Sequence, residues 1–129
     1  MPKQMISILV VDDDQSIGPL LGDILVYLGH AVCAIVTSED AAVAAAVSHR
    51  PDLILMDAGL RPGNGIDAMD RIVALIGPVP HVFISGDLKS IGIRVPRAIA
   101  LQKPFQIDQI ETAIHQAMDQ VDNISGHHR

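Results

Sequence analysis

Four apolar residues, Leu53-Ile54-Leu55-Met56, are fenced by two acids, Asp52 and Asp57. No other segment narrows the fold as much. A short apolar run without polar alternation has no face to offer water, so it reads as a strand covered on both sides. That is the condition of a parallel sheet held between two helix layers. Directly after it comes Ala58-Gly59-Leu60-Arg61-Pro62-Gly63-Asn64-Gly65, a stretch of turn residues. Asp57 therefore falls at the carboxyl end of a central strand, where open α/β sheets carry their chemistry. It is the predicted reactive residue.

The remainder of the chain alternates strand and helix patterns around that run. Met5 to Val11 is a first buried strand. Ile17, Leu20, Leu21, Ile24, Leu25 and Leu28 follow with a 3.6-residue period, opened by Asp13-Asp14-Gln15-Ser16 and stopped by Gly29. His30 to Val36 gives a second strand, and Thr37-Ser38-Glu39-Asp40 caps an Ala-rich helix reaching about His49. A third helix begins at Gly65, with Ile66, Met69, Ile72, Val73 and Ile76 on one side. His81 to Ile84 is the fourth strand and Ala98 to Leu101 the fifth. The last helix starts near Asp108, sets Ile107, Ile110, Ile114, Met118 and Val121 on one face, and frays from Asp122 onward. Five strands alternating with helices imply right-handed crossovers, and the order 2-1-3-4-5 makes strands 1 and 3 neighbours at the switch point.

Bulk properties fit a single domain spanning 1–129, with its core over about 5–121 and no output domain attached. Nine basic against fifteen acidic residues, a net charge of -6, argue against direct nucleic-acid binding. Cys33 has no partner for a disulfide and reads as a buried core residue in a reducing compartment. No run is long enough to span a membrane, and the N-terminus lacks a signal-peptide core. The expected location is cytoplasmic.

Strand 1 ends in Asp12-Asp13-Asp14. If strands 1 and 3 are neighbours, Asp12 and Asp13 meet Asp57. Two carboxylates about 4 Å apart repel by about 4 kcal/mol at an effective dielectric near 20. Such a cluster needs protons or a cation, and hard oxygen ligands with room for water suit Mg²⁺. Ser85, after strand 4, and Lys103, after strand 5, converge on the same edge. A hydroxyl donor, an ammonium and a divalent cation around one carboxylate are what a phosphoryl group on Asp57 requires.

Ile8-Leu9-Val10-Val11-Asp12-Asp13-Asp14, Asp52 to Asp57, Phe83-Ile84-Ser85-Gly86 and Gln102-Lys103-Pro104-Phe105 together resemble the receiver domain of two-component response regulators, over roughly residues 5 to 121. The resemblance implies a flavodoxin-like (βα)₅ fold that is not an enzyme in its own right. It implies a phosphoacceptor, Asp57, loaded by a histidine kinase or a histidine phosphotransfer protein, that assists its own phosphorylation and dephosphorylation. By the same resemblance Asp12, Asp13, Asp57 and the backbone carbonyl of Gly59 hold Mg²⁺. Ser85 is the switch hydroxyl, and Lys103 pairs with the phosphate beside a Lys103-Pro104 bond that is cis in the family. The output is contact with a downstream protein of unknown identity, and homodimer formation is left open.

Three features depart from the family pattern. Ala100 stands where an aromatic is usual. Only seventeen residues, Gly86 to Gln102, separate Ser85 from Lys103, and they include Gly92 and Pro96. A fourth helix of one turn or none is predicted. Pro62 lies one place late in the loop after Asp57. Gly59 brings no side chain to the phosphate and Asp87 brings an acid, so an acyl phosphate here is expected to turn over readily. Two rival readings stand beside the main one. A phosphorylation-independent docking module tends to lose the acids or the lysine, which this chain keeps. A haloacid-dehalogenase-type phosphatase shares Asp12-x-Asp14 but needs a later acidic pair that is missing here.

Overall fold

Leu53, Ile54, Leu55 and Met56 have no exposed surface, as their unbroken apolar run requires. They form the middle strand of a computed structural model that describes residues 5–127, with backbone alone for 121–127. Strands and helices alternate: β1 (Ser7–Val11), α1 (Ile17–Tyr27), β2 (Ala31–Val36), α2 (Glu39–His49), β3 (Leu53–Asp57), α3 (Gly65–Ile76), β4 (His81–Ser85), α4 (Leu88–Arg94), β5 (Ala100–Gln102) and α5 (Ile107–His127). All strand pairs are parallel and the order is β2-β1-β3-β4-β5. This is the flavodoxin-like (βα)₅ arrangement expected from the sequence.

The two-residue period of β3 divides the core in two. Leu53 and Leu55 join Ile8, Val10, Leu21, Leu25, Ile110 and Ile114 on the face covered by α1 and α5. Ile54 and Met56 join Leu9, Val11, Ala42, Ala46, Met69 and Ile72 on the face covered by α2 and α3. Fully burying each large aliphatic side chain contributes about 1.5–3 kcal/mol.

Several local expectations are corrected. In α1 the buried residues are Gly18, Leu21, Gly22 and Leu25, while Leu20 is 50% exposed. Ile35 of β2 sits so close to both glycines that a Cβ on either would lie 2.9 Å from its side chain. The missing side chains rotate the buried stripe of α1 toward β2 and turn Leu20 outward. Cys33 is half-buried, because β2 is an edge strand. Ile107 is exposed at the first turn of α5, and that helix runs on to His127, past Asp122.

The fourth helix is present, with seven residues and about two turns. Asp87 starts it, its Oδ1 accepting from the Lys89 and Ser90 amides and its Oδ2 from the Ser90 hydroxyl. Ile91 is buried against the α2–α3 face, and Arg94 pairs with Asp67 of α3 at 3.0 Å. These anchors offset the low helix propensity of Gly92.

Candidate functional site

Parallel register brings the site together. Val11 is level with Met56, Asp57 with Ile84, and Ser85 with Gln102. The residues just past Val11 and Gln102 are Asp12 and Lys103, so all of these positions reach one rim. Backbone bonds lock the strand exits: Asp12 N–H donates to Val36 O, Ala58 N–H to Ile84 O and Lys103 N–H to Ser85 O, at 2.9–3.0 Å.

Asp12 and Asp57 are almost completely buried, and Asp13 is partly exposed. One oxygen from each of the three lies within 4.8 Å of the others. Lys103 Nζ approaches Asp12 Oδ2 to 3.1 Å and Asp57 Oδ2 to 3.6 Å. The other oxygens meet backbone donors. Asp14 N–H donates to Asp12 Oδ1 at 2.8 Å, Gly59 N–H to Asp57 Oδ1 at 2.9 Å and Arg61 N–H to Asp13 Oδ2 at 3.1 Å.

Burial pushes the Asp57 carboxyl up from 3.8 to about 6, the Gly59 amide opposes it, the Asp12 charge adds to it, and Lys103 works against it. For Lys103, partial burial acts downward, but the Asp12 carboxylate and the charges of Asp57 and Asp13 outweigh it, so its ammonium is held above the usual range. Asp14, the third acid of the run, points elsewhere. The Ser16 hydroxyl and amide bind it and hold its carboxyl below the ordinary range.

These residues fit a hard divalent cation. Three carboxylates face one ammonium, and Asp12 Oδ2 is buried with no hydrogen-bond donor of good geometry besides its ion pair. Lys103 is shared between Asp12 and Asp57, so one ammonium faces three clustered carboxylates, and a buried excess of negative charge is costly without a further counter-charge.

Asp12, Asp13, Asp57 and Lys103 thus assemble as the sequence predicts. Ser85 reaches the same rim, but its hydroxyl is held by Asp87, accepting from the Asp87 amide at 2.9 Å and donating to the Asp87 carbonyl at 3.2 Å. Asp87 does not bring its acid to the pocket, since its carboxylate caps α4. Gly59 sits beside Asp57, where a Cβ would lie 3.5 Å from Oδ1. The Lys103-Pro104 bond is cis, as the resemblance implies, and Arg61-Pro62 is cis as well.

Two contributors escaped sequence reasoning. Arg61 acts through its amide, which no side-chain pattern reveals. Gly65 opens α3 so close to β3 that a Cβ would collide with the Asp57 carbonyl oxygen. Its place at the head of a helix just after a reactive strand was the available signal.

Comparison with known proteins agrees with this geometry. A family model described as the response regulator receiver domain matches residues 8–115. Chemotaxis protein CheY of Bacillus subtilis is 31% identical over 116 residues, which cover 87% of this chain and 97% of CheY. The phyllosphere-induced regulator PhyR of Methylorubrum extorquens is 33% identical over 115 residues, covering 86% of this chain and 43% of PhyR. A protein-glutamate methylesterase/protein-glutamine glutaminase of Haloarcula marismortui is 36% identical over 77 residues, only 21% of its length. The chain therefore spans well under half of some curated relatives. Among solved structures, the PhyR receiver domain of Erythrobacter litoralis superposes with a TM-score of 0.77 at 29% identity, covering 88% of this chain and 90% of that one. PhyR from Bartonella quintana gives 0.86 at 25% identity, over 98% of this chain and 53% of that one.

Proposed function

The chain belongs to the response regulator receiver domain family, and from that premise we propose that it accepts a phosphoryl group on Asp57 from a histidine kinase or a histidine phosphotransfer protein. In that reaction an Asp57 carboxylate oxygen forms a bond to phosphorus as the phosphorus–nitrogen bond of the donor histidine breaks, and the released imidazole takes up a proton. The observation that carries the reading is the convergence of Asp12, Asp13 and Asp57 on Lys103 at one sheet rim.

Each residue has a separate task. Asp12, Asp13, Asp57 and the Gly59 carbonyl would hold Mg²⁺. That ion supplies charge neutralisation for the phosphoryl oxygens. Lys103, which lies near both Asp12 and Asp57, would pair with a phosphoryl oxygen on Asp57. The Gly59 amide fixes the rotation of the Asp57 carboxylate. Ser85 offers a hydroxyl donor once it leaves Asp87. Water can return the carboxylate by hydrolysing the acyl phosphate, and Gly59 puts no side chain in its way.

As a receiver domain, the chain acts as a signalling phosphoacceptor. We assign it a single receiver domain over 1–129 that works in the cytoplasm and signals by contact with a downstream protein. Among the described residues no helix is long and apolar enough to cross a membrane. With Ala100 at β5 and a two-turn α4, the surface over β5 is an open trough of about 590 Å³ lined by Leu88, Ala100, Gln109 and Gln116. A partner docking there would meet Ala100 and no aromatic side chain at that position.

The test is incubation with Mg²⁺ and a small phosphodonor such as acetyl phosphate, followed by intact-mass spectrometry. One base-labile phosphoryl group is expected, absent without Mg²⁺ and absent in Asp57→Asn. A phosphorylated Asp57→Asn protein, or no labelling of the wild type by this donor or by any histidine kinase or phosphotransfer protein, overturns the assignment.

A further inference from the structure

The loop between β3 and α3, residues 58–64, must deliver two backbone groups to the pocket: the Arg61 amide, which binds Asp13 Oδ2, and the Gly59 carbonyl of the proposed cation site. Its first residues are tied by the Gly59 amide to Asp57 and its middle by Arg61 to Asp13. Its far end is tied to neither. There, Glu39 at the start of α2 reaches across. Its Oε1 accepts from the Asn64 amide at 3.3 Å, and its carboxylate lies against Gly63, which has a φ of 84°.

Glu39 is itself braced. Its Oε2 accepts from Arg71 Nη1 of α3 at 2.9 Å, and the same nitrogen donates to Asp40 Oδ1 at 2.8 Å. The Glu39 side chain is 18% exposed and the Asp40 side chain 90% exposed, so Glu39 is the member of this pair that is sheltered in the fold. A carboxylate fixed by a guanidinium on one oxygen leaves the other oxygen oriented toward the loop.

We propose that Glu39 is a positioning residue for the acidic pocket: braced by Arg71, it pins the Gly63–Asn64 end of the loop and so fixes where Gly59 and Arg61 meet Asp57 and Asp13. The inference rests on the acidic pocket being the cation and phosphoryl site. Outer groups that orient metal ligands commonly change metal affinity about 10–100-fold when removed. One weak amide bond at the loop end belongs at the low end of that range.

Two variants separate position from charge. Glu39→Ala removes the contacts to Asn64 and Arg71 together with a negative charge, whereas Asp40→Asn removes a negative charge beside the same arginine and leaves both Glu39 oxygens in place. Thermal melts of the full chain across a Mg²⁺ series give the half-saturating concentration. Glu39→Ala is expected to raise it roughly tenfold and Asp40→Asn by less than about twofold. Amide exchange by NMR in the metal-free protein is the second readout. Arg61 is expected to exchange at least several-fold faster in Glu39→Ala than in wild type or Asp40→Asn.

Unchanged Arg61 exchange in Glu39→Ala overturns the proposal. So does Asp40→Asn weakening Mg²⁺ as much as Glu39→Ala, which marks a Coulombic effect. Should the wild type show no Mg²⁺-dependent stabilisation, the cation reading of the pocket falls, and Arg61 exchange still decides whether Glu39 fixes the loop.

Discussion

Replacing Asp57 by Asn is expected to stabilise the metal-free protein at neutral pH. Burial lifts the Asp57 carboxyl from 3.8 to about 6. A carboxyl whose folded pKa lies above its unfolded value binds its proton more tightly in the native state. Its contribution is most favourable below the unfolded value and is lost as pH rises through about 6. A gap of about two pH units at 1.36 kcal/mol each corresponds to about 3 kcal/mol at most. Relaxation of the pocket around the charge reduces this, so a gain of about 1–3 kcal/mol is expected for Asp57→Asn above pH 7. Asn retains an oxygen for the Gly59 amide, so that hydrogen bond survives. Urea melts of both proteins in EDTA, at pH 7.5 and pH 4, measure the effect. The gap should be large at pH 7.5 and shrink toward zero at pH 4, where the wild-type carboxyl is mostly protonated in the native state. Saturating Mg²⁺ at pH 7.5 should close it from the other side, because a ligand bound only by the native state stabilises by RT ln(1 + [L]/Kd). A wild type more stable than Asp57→Asn at pH 7.5 without metal, or a gap independent of pH, would refute the reasoning.

Three further outcomes follow from the geometry. Gly65→Ala forces a Cβ onto the Asp57 carbonyl; a loss of about 1–3 kcal/mol in denaturant melts is expected, together with slower phosphorylation as β3 shifts. Asn64→Ala removes the oxygen that caps α3 through the Asp67 amide at 2.8 Å, and should cost about 1 kcal/mol by the same melts. Lys103→Met removes the cation beside Asp12 and Asp57; the Asp57 carboxyl should titrate higher still by carbon-detected NMR, and labelling by acetyl phosphate should fall sharply.

Most of the sheet is legible in the sequence because a strand buried on both faces leaves no polar residue in its run, and Leu53 to Met56 is such a strand. Once β1 and β3 are neighbours, the register carries Asp12 to Asp57 without further information. What sequence misses depends on side chains that are absent or on groups every residue shares. The outward turn of Leu20 follows from Gly18 and Gly22 yielding to Ile35, a contact between segments that periodicity within α1 does not record. The second turn of α4 rests on the Asp87 cap, the buried Ile91 and the Arg94 bridge to Asp67, which together outweigh a glycine. Arg61 matters through an amide hydrogen, identical in kind to that of its neighbours and distinguished only by where the loop puts it.

The hydroxyl of Ser85 carries a single hydrogen, and in this structure the Asp87 carbonyl receives it. A ligand in the acidic pocket that claims that hydrogen takes it from the residue seated at the head of α4. Under the proposed phosphorylation, occupancy at the sheet rim and the seating of the short helix would be linked through one hydroxyl's orientation, with Ala100 in place of an aromatic ring.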